Sequence, residues 1–220
     1  QQHCDPRDLK NFQRSTLIPM LRSNIRYVKF TMPAEFVGSA AGLAPLLIIQ
    51  AYFGTAAAGL YAMAVRIAGI PSGFIGKAIG EVFRGNLSNC KSGLGQRRLF
   101  DQSLYILVTL SIFVGILILL LNAFRGVELL FPEEWFGLMQ VLLITWLLFG
   151  VKLIASPLSY TLFFFQKNNI DFYWQFLMLI SLTIPLVLAP NFVSALLMQS
   201  LVGGIVYLIL IYYCRSLFKS

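Results

Sequence analysis

Charge is scarce in this chain of 220 residues: only 12% of them are Asp, Glu, Lys or Arg. A soluble domain carries about a quarter, so there is too little charge to cover a water-facing surface, which argues against an ordinary globular enzyme. Acids are scarcer than bases, 9 against 17. Histidine occurs once, as His3 in a polar end, where it reads as a solvated terminal residue. The cysteines are Cys4, Cys90 and Cys214; an odd, scattered set supports neither a disulfide framework nor a CxxC metal site. Nucleotide motifs are missing too. Gly76-Lys77 is followed by Ala78, and Pro71 stands where the first glycine of a phosphate-binding loop belongs. No G-x-G-x-x-G, HExxH or GxSxG occurs, so neither a cofactor nor a metal is expected, and uphill work must draw on an ion gradient or a flux of substrate. No signal-peptide pattern opens the chain, which starts at Gln1 rather than Met, as a fragment or processed piece would.

What is abundant is apolar: 58% of the residues are hydrophobic and 14% aromatic, which excludes disorder. A spanning helix needs about 20 mostly apolar residues. Six runs qualify, at about 34–53, 57–83, 103–123, 136–163, 172–189 and 192–213. They are too long and continuous for barrel strands, and in lipid a helix satisfies its own backbone. The expected fold is therefore an all-α polytopic membrane protein. Residues 1–30 form a cytoplasmic basic amphipathic linker and 31–220 a six-helix transmembrane bundle. In the linker, Leu21, Ile25, Val28 and Met32 recur at helical spacing while Arg22, Arg26 and Lys29 share another face, which suits an anionic membrane surface or an ordinary linker helix.

The net charge of +8 does not gather on one basic face, as a nucleic-acid binder would require, so no nucleic-acid partner is expected. Arg7, Lys10, Arg14, Arg22, Arg26, Lys29, Arg84, Lys91, Arg97, Arg98, Lys167, Arg215 and Lys219 fall on one side of the runs. The opposite side has short connections at 54–56 and 190–191 and a loop, 124–135, whose single cation Arg125 faces Glu128, Glu133 and Glu134. That asymmetry places both termini of this chain in the cytoplasm. Asn86-Leu87-Ser88 has the form of a glycosylation sequon but falls on the cytoplasmic side.

Three cations remain inside the runs: Arg66, Lys77 and Lys152, with Glu35 at the start of the first. A charge at mid-bilayer costs about 2.5–3.5 kcal/mol, so such residues are functional candidates by default; Lys77 and Glu35 are close enough to an interface to snorkel. On a helical wheel Lys77 returns to within about 20° of Arg66, and Gly59, Ala62, Gly69, Gly73, Gly76 and Gly80 fall within about 80° of it. Small residues permit close helix approach or a ligand against the backbone, so the stripe is either tight packing or a cationic lumen face. Pro71 frees the Ile67 carbonyl and favours a bend. In the fourth run Thr145, Lys152, Ser159 and Gln166 recur by sevens, a slowly drifting face, with Pro157 within it. Pro45 and Pro185 supply further expected kinks, and Gln199 and Gly203-Gly204 polar and small positions. Broken helices are frequent in alternating-access transporters.

Several segments resemble the polysaccharide transporter family, which includes the Wzx-type O-antigen and lipopolysaccharide flippases and shares a superfamily with the MATE exporters and MurJ. They are Gly59-Leu60-Tyr61-Ala62-Met63-Ala64-Val65-Arg66-Ile67, Pro71, Ile75-Gly76-Lys77-Ala78-Ile79-Gly80-Glu81-Val82-Phe83, Phe131-Pro132-Glu133-Glu134-Trp135, Ser156-Pro157-Leu158-Ser159 with Gln166-Lys167, and Lys29-Phe30-Thr31-Met32-Pro33. The resemblance runs from about residue 25 onward and corresponds to the C-terminal half of the family. It implies one six-helix bundle of a MATE-like two-bundle transporter and a missing N-terminal bundle as partner. It also implies a central cationic cavity that flips an undecaprenyl-pyrophosphate-linked oligosaccharide across the bacterial inner membrane. Arg66, Lys152 and Lys77 are the expected substrate-binding residues and Glu35 the candidate for ion coupling; no enzyme activity is expected.

Two rivals stand beside this reading. A MATE-like exporter of organic cations calls for intramembrane acids rather than Arg and Lys. A membrane-embedded polysaccharide-synthesis enzyme calls for a large polar loop outside, and the longest such loop has about a dozen residues.

Overall fold

The computed structural model describes residues 27–124 and 135–218. Most of the basic linker and the loop with Arg125, Glu128, Glu133 and Glu134 therefore lie outside the described residues. Within them the chain is helical, with no strand. A π-turn at Tyr27–Thr31 leads into α1 (Met32–Pro71), a second π-turn (Ser72–Gly76) and α2 (Lys77–Asn89). Then come α3 (Gly93–Ala123), α4 (Leu138–Leu158), the short α5 (Tyr160–Phe164), α6 (Asn168–Leu188) and α7 (Phe192–Ser216).

Five helical stretches are long and apolar enough to cross a membrane: Lys29–Asn89, Gly93–Ala123, Leu138–Phe164, Asn168–Leu188 and Phe192–Ser216. The first contains 61 residues. As one rod it would be about 90 Å long, three times a hydrocarbon core of about 30 Å. It is not one rod. Gly54 leaves helical geometry, with φ 87° and ψ 173°, a region that only glycine enters freely. Packing shows that the chain reverses there. Ser156 and Ser159, near the end of α4, line one cleft with Glu35, Gly38, Ser39 and Gly42, and another with Ser72, Lys77, Gly80 and Arg84. The start of the first arm (residues 32–53) and the end of the second thus lie at the same end of the bundle. The expected connection at 54–56 contracts to Gly54 alone.

Neighbours confirm the directions. The first arm runs alongside α6: the Asn168 amide donates to Thr31 Oγ1 at 3.3 Å, and a Cβ on Gly38 would lie 2.9 Å from Gln175 Oε1. The second arm runs alongside α4, with Gly69 against Phe149 and Gly76 against Leu153. α4 and α7 are central, each with 56% of its apolar stretch buried, whereas α3 has 17% and leaves most of its apolar surface exposed. Lipid is as apolar as leucine, so close packing and interhelical hydrogen bonds hold such helices together. Ser111 Oγ donates to the Gly150 carbonyl at 3.0 Å, joining α3 to α4. Buried Gln199 Nε2 donates to the Leu182 carbonyl at 3.0 Å and to Tyr61 Oη at 3.5 Å, tying α7 to α6 and α1. Gly203 lets α7 meet Leu148 and Leu182 together; a Cβ there would lie 2.7 and 2.9 Å from their methyl groups.

Several expected bounds shift. The second run continues to Asn89, the third begins at Gly93 rather than 103, and the fifth begins at Asn168. Polar residues at these ends are carried by helices that project past the apolar stretch. The fourth run is not continuous. α4 ends at Leu158, Ser159 N–H bonds the Ala155 carbonyl, and the chain restarts as α5. Pro157 removes one ladder donor just before this break. At Pro71 the ladder widens into the π-turn, another recognised response to proline. The helices run on through Pro45 and Pro185.

Candidate functional site: two polar clefts and an exposed basic edge

The described charges are distributed unevenly. Lys91, Arg97, Arg98, Lys167 and Arg215 lie at the end of the bundle opposite Gly54, with Arg84 and Lys77 one to three turns before it along the helix. The described acids, Glu35, Glu81, Asp101 and Asp171, lie toward that same end. Asp101 accepts from Arg215 at 2.9 Å, fastening α3 to the end of α7.

Lys152 is half-buried in a cleft of about 310 Å³ between the first arm, α4, α6 and α7. Its ammonium lies 5.0 Å from the centre of the Phe149 ring, a cation–π contact. Glu35, Ser156, Ser159, Trp174, Gln175 and Tyr207 line the same cleft. Trp174 and Tyr207 pack with ring centroids 5.3 Å apart. The buried indole N–H of Trp174 has no hydrogen-bond partner among the described residues.

Lys77 lines a second cleft of about 330 Å³ on the other side of the α4 terminus, with Ser72, Glu81, Arg84, Ser156, Ser159 and Tyr160. Arg84 lies 4.5 Å above the Tyr160 ring and 3.6 Å from Glu81. Ser72 Oγ, at the start of the π-turn, is buried and unpaired among the described residues. Ser156 and Ser159 are common to both clefts, so Lys77 and Lys152 lie on either side of one polar wall. The first cleft carries Lys152 and Glu35, the second Lys77, Arg84 and Glu81, and both carry several hydroxyl groups, a set suited to holding a polyol or, in the second, an anion.

Arg66 lines neither cleft. It is exposed, as are Gly59, Gly73 and Lys77. The small-residue stripe therefore divides. Gly69, Gly76 and Gly80 pack on Phe149, Leu153 and Pro157 of α4, while Gly59 and Gly73 face open space. Gly59 and Arg66 share one edge within about 20° on an ideal wheel, whereas Gly73 and Lys77, in and past the π-turn, border the second cleft. Tight packing holds for one edge of the helix, and the other edge, with Arg66, is exposed. The stripe by sevens in the fourth run does not survive as one face: Thr145 is buried with its hydroxyl unpaired among the described residues. Gln166 lies beyond the break, in a left-handed turn with φ 55°.

Sequence reasoning missed Trp174, Gln175 and Tyr207, which the hydropathy count absorbs into apolar runs. It counted Arg84 only as a loop cation. Asp171 is buried, 6% exposed, and close enough to Glu35 for their charges to interact; it falls one residue before the expected fifth run. No cluster of three or more metal-ligating side chains occurs among the described residues.

Long apolar helices, charge gathered at one end and polar clefts between helix ends define a multi-pass helical membrane protein. Residues 11–140 match the family of polysaccharide biosynthesis proteins, and the chain belongs to that family. The matched range holds Arg66, Lys77, Glu35 and the Phe131–Trp135 segment; Ser156–Ser159, Gln166 and Lys152 lie beyond it. No curated protein and no solved structure matches the chain.

Proposed function

We propose that the chain is one bundle of a transporter that flips a lipid-linked oligosaccharide, such as an O-antigen repeat unit on undecaprenyl pyrophosphate, toward the periplasmic leaflet of the bacterial inner membrane. The observation that carries this reading is the exposed edge at Gly59 and Arg66, with exposed Lys77 further along the same run at the mouth of the second cleft. A cation left facing lipid is unfavourable by several kcal/mol unless water, a partner or an anion meets it. This chain does not cover that edge. A second surface is needed, and in this reading an N-terminal bundle supplies it and closes a cationic cavity. A pyrophosphate and its sugars cannot enter hydrocarbon unaided; Arg66, with Lys77, meets the anion, and Lys152 follows across the serine wall. Glu35, which lines the same cleft as Lys152, is the group through which an ion could be coupled.

Export of organic cations fits poorly, because the uncovered edge is basic. The test is Arg66→Ala in the full-length protein, with Arg66→Lys beside it. Surface polysaccharide display should be lost in the first and partly kept in the second at equal membrane abundance. Unchanged display in Arg66→Ala removes Arg66 from the mechanism.

A further inference from the structure

A third cavity lies away from both polar clefts. α2 and α3 meet at the corner Cys90–Ser92 and diverge from it as the two walls of a groove of about 320 Å³. The corner is fixed. Gln96 Nε2 donates to the Cys90 carbonyl at 2.7 Å, and Ser92 Oγ accepts from the Gly95 N–H at 3.5 Å as a helix cap. Phe83 and Phe100, both buried and edge-to-face at 6.2 Å, join the walls near the corner. Beyond them the walls part, and Val82 and Ile106 stand 64% and 53% exposed.

The lining changes along the groove. Farthest from the corner it is Ala78, Ile79 and Ile106; at mid-length Val82 stands with Gln102 and Ser103, and toward the corner come Phe83, Leu99 and Asn86. Exposed Arg98 precedes Gln102 by one turn on the flank of the same face, and exposed Lys91 lies in the corner itself. The groove is thus mostly apolar along its length, with a few polar groups on its walls and exposed cations at its corner end. A phospholipid matches that arrangement, with its chain along the apolar walls and its phosphate at the basic end. Basic groups at an interface select anionic head groups, and the sign of the corner says which lipid fits.

We propose that this groove holds one acyl chain of an anionic phospholipid, with Arg98 and Lys91 meeting its phosphate. The site is separate from the polar clefts and does not depend on what the protein carries.

The full chain, purified in detergent, would be titrated with phosphatidylglycerol or phosphatidylcholine, and bound lipid counted by native mass spectrometry. Phosphatidylglycerol should be retained preferentially. Arg98→Gln should weaken its binding about fivefold and Arg98→Lys should preserve it, as loss of one interfacial cation predicts. Val82→Trp, which fills the groove from an exposed position, should reduce phosphatidylglycerol retention while circular dichroism stays helical. Equal retention of the two lipids, or a preference untouched by both Arg98→Gln and Val82→Trp, overturns the proposal. So does preferential capture of undecaprenyl phosphate over phosphatidylglycerol, since the groove would then belong to the cargo.

Discussion

At the scale of single residues, the bundle is held by a few places where two backbones come within a side chain's width. Gly115 of α3 faces the Trp146 indole; a Cβ would meet Nε1 at 2.8 Å. An indole cannot swing aside as a leucine methyl can, so Gly115→Leu should destabilise the bundle by about 1–3 kcal/mol. The measurement is thermal unfolding in detergent. Gly42→Ala, where nothing lies within 4 Å of the new methyl, is the control and should be neutral or slightly stabilising. Gln199 is the polar counterpart. It is 1% exposed and joins three helices. Gln199→Leu should cost about 0.6–1.7 kcal/mol, the range for hydrogen bonds between membrane helices, and a cost below a tenth of that would mean the amide is not shared. Little of this was legible in the sequence. A glycine's neighbours and a glutamine's acceptors are set by which helices pack together, and a wheel drawn for one helix carries no such information. Arg66 makes the same point: a wheel gives its angle on its own helix, yet only the place of α4 shows that the arginine edge stays open while the glycine edge beside it is filled.

At the scale of elements, three breaks shape the bundle, and they differ in cause. Pro71 and Pro157 each remove a ladder donor, and both were evident from composition alone. Their contact was not: Gly76 and Gly80 bring the second arm against Pro157, with a Cβ on Gly80 lying 3.4 Å from the proline ring. The π-turn and the α4–α5 break are thus adjacent, and the two polar clefts open beside them. Gly54 is the third break and depends on backbone freedom. Its positive φ admits almost no β-branched residue, so Gly54→Val should cost about 1–3 kcal/mol and lower the yield of inserted protein, as membrane fractionation would show. Gln166 has the same handedness at φ 55° without being glycine. The Lys167 N–H bonds the Leu162 carbonyl and the Gln166 N–H the Phe163 carbonyl, the pattern of a left-handed helix terminator. Gln166→Gly should therefore stabilise, by up to about 1 kcal/mol, read as a higher melting temperature. Hydropathy read these elements well where runs were long. It failed at their ends, because helices continue past the apolar stretch on polar residues such as Arg97, Asp101 and Asp171.

At the scale of the whole molecule, orientation follows from charge and reversal from Gly54, and the two can be tested together. Among the described residues every charge other than Arg66 and Lys152 lies toward the end holding the Cys90–Ser92 corner and Lys167. The other end has the Gly54 reversal and the 190–191 connection, with Phe53 and Phe192 packed at 5.8 Å between ring centroids. On the orientation proposed from loop charge, the excess of Lys and Arg puts the first side in the cytoplasm. If the 61-residue stretch crosses twice, Thr55 and Asn191 face the same compartment and Lys91 the opposite one. Single-cysteine variants Thr55→Cys, Asn191→Cys and Lys91→Cys, made with the native cysteines replaced, should separate accordingly. A membrane-impermeant maleimide should label the first two in spheroplasts and the third only after permeabilisation. Labelling of Asn191→Cys without Thr55→Cys would mean that the chain does not turn back at Gly54. Arg66 and Lys77 would then not share the helix that returns to the cytoplasm, and the exposed basic edge would lose its place beside the serine wall. Labelling of Lys91→Cys in intact spheroplasts would instead invert the bundle and place the polar clefts at the periplasmic mouth.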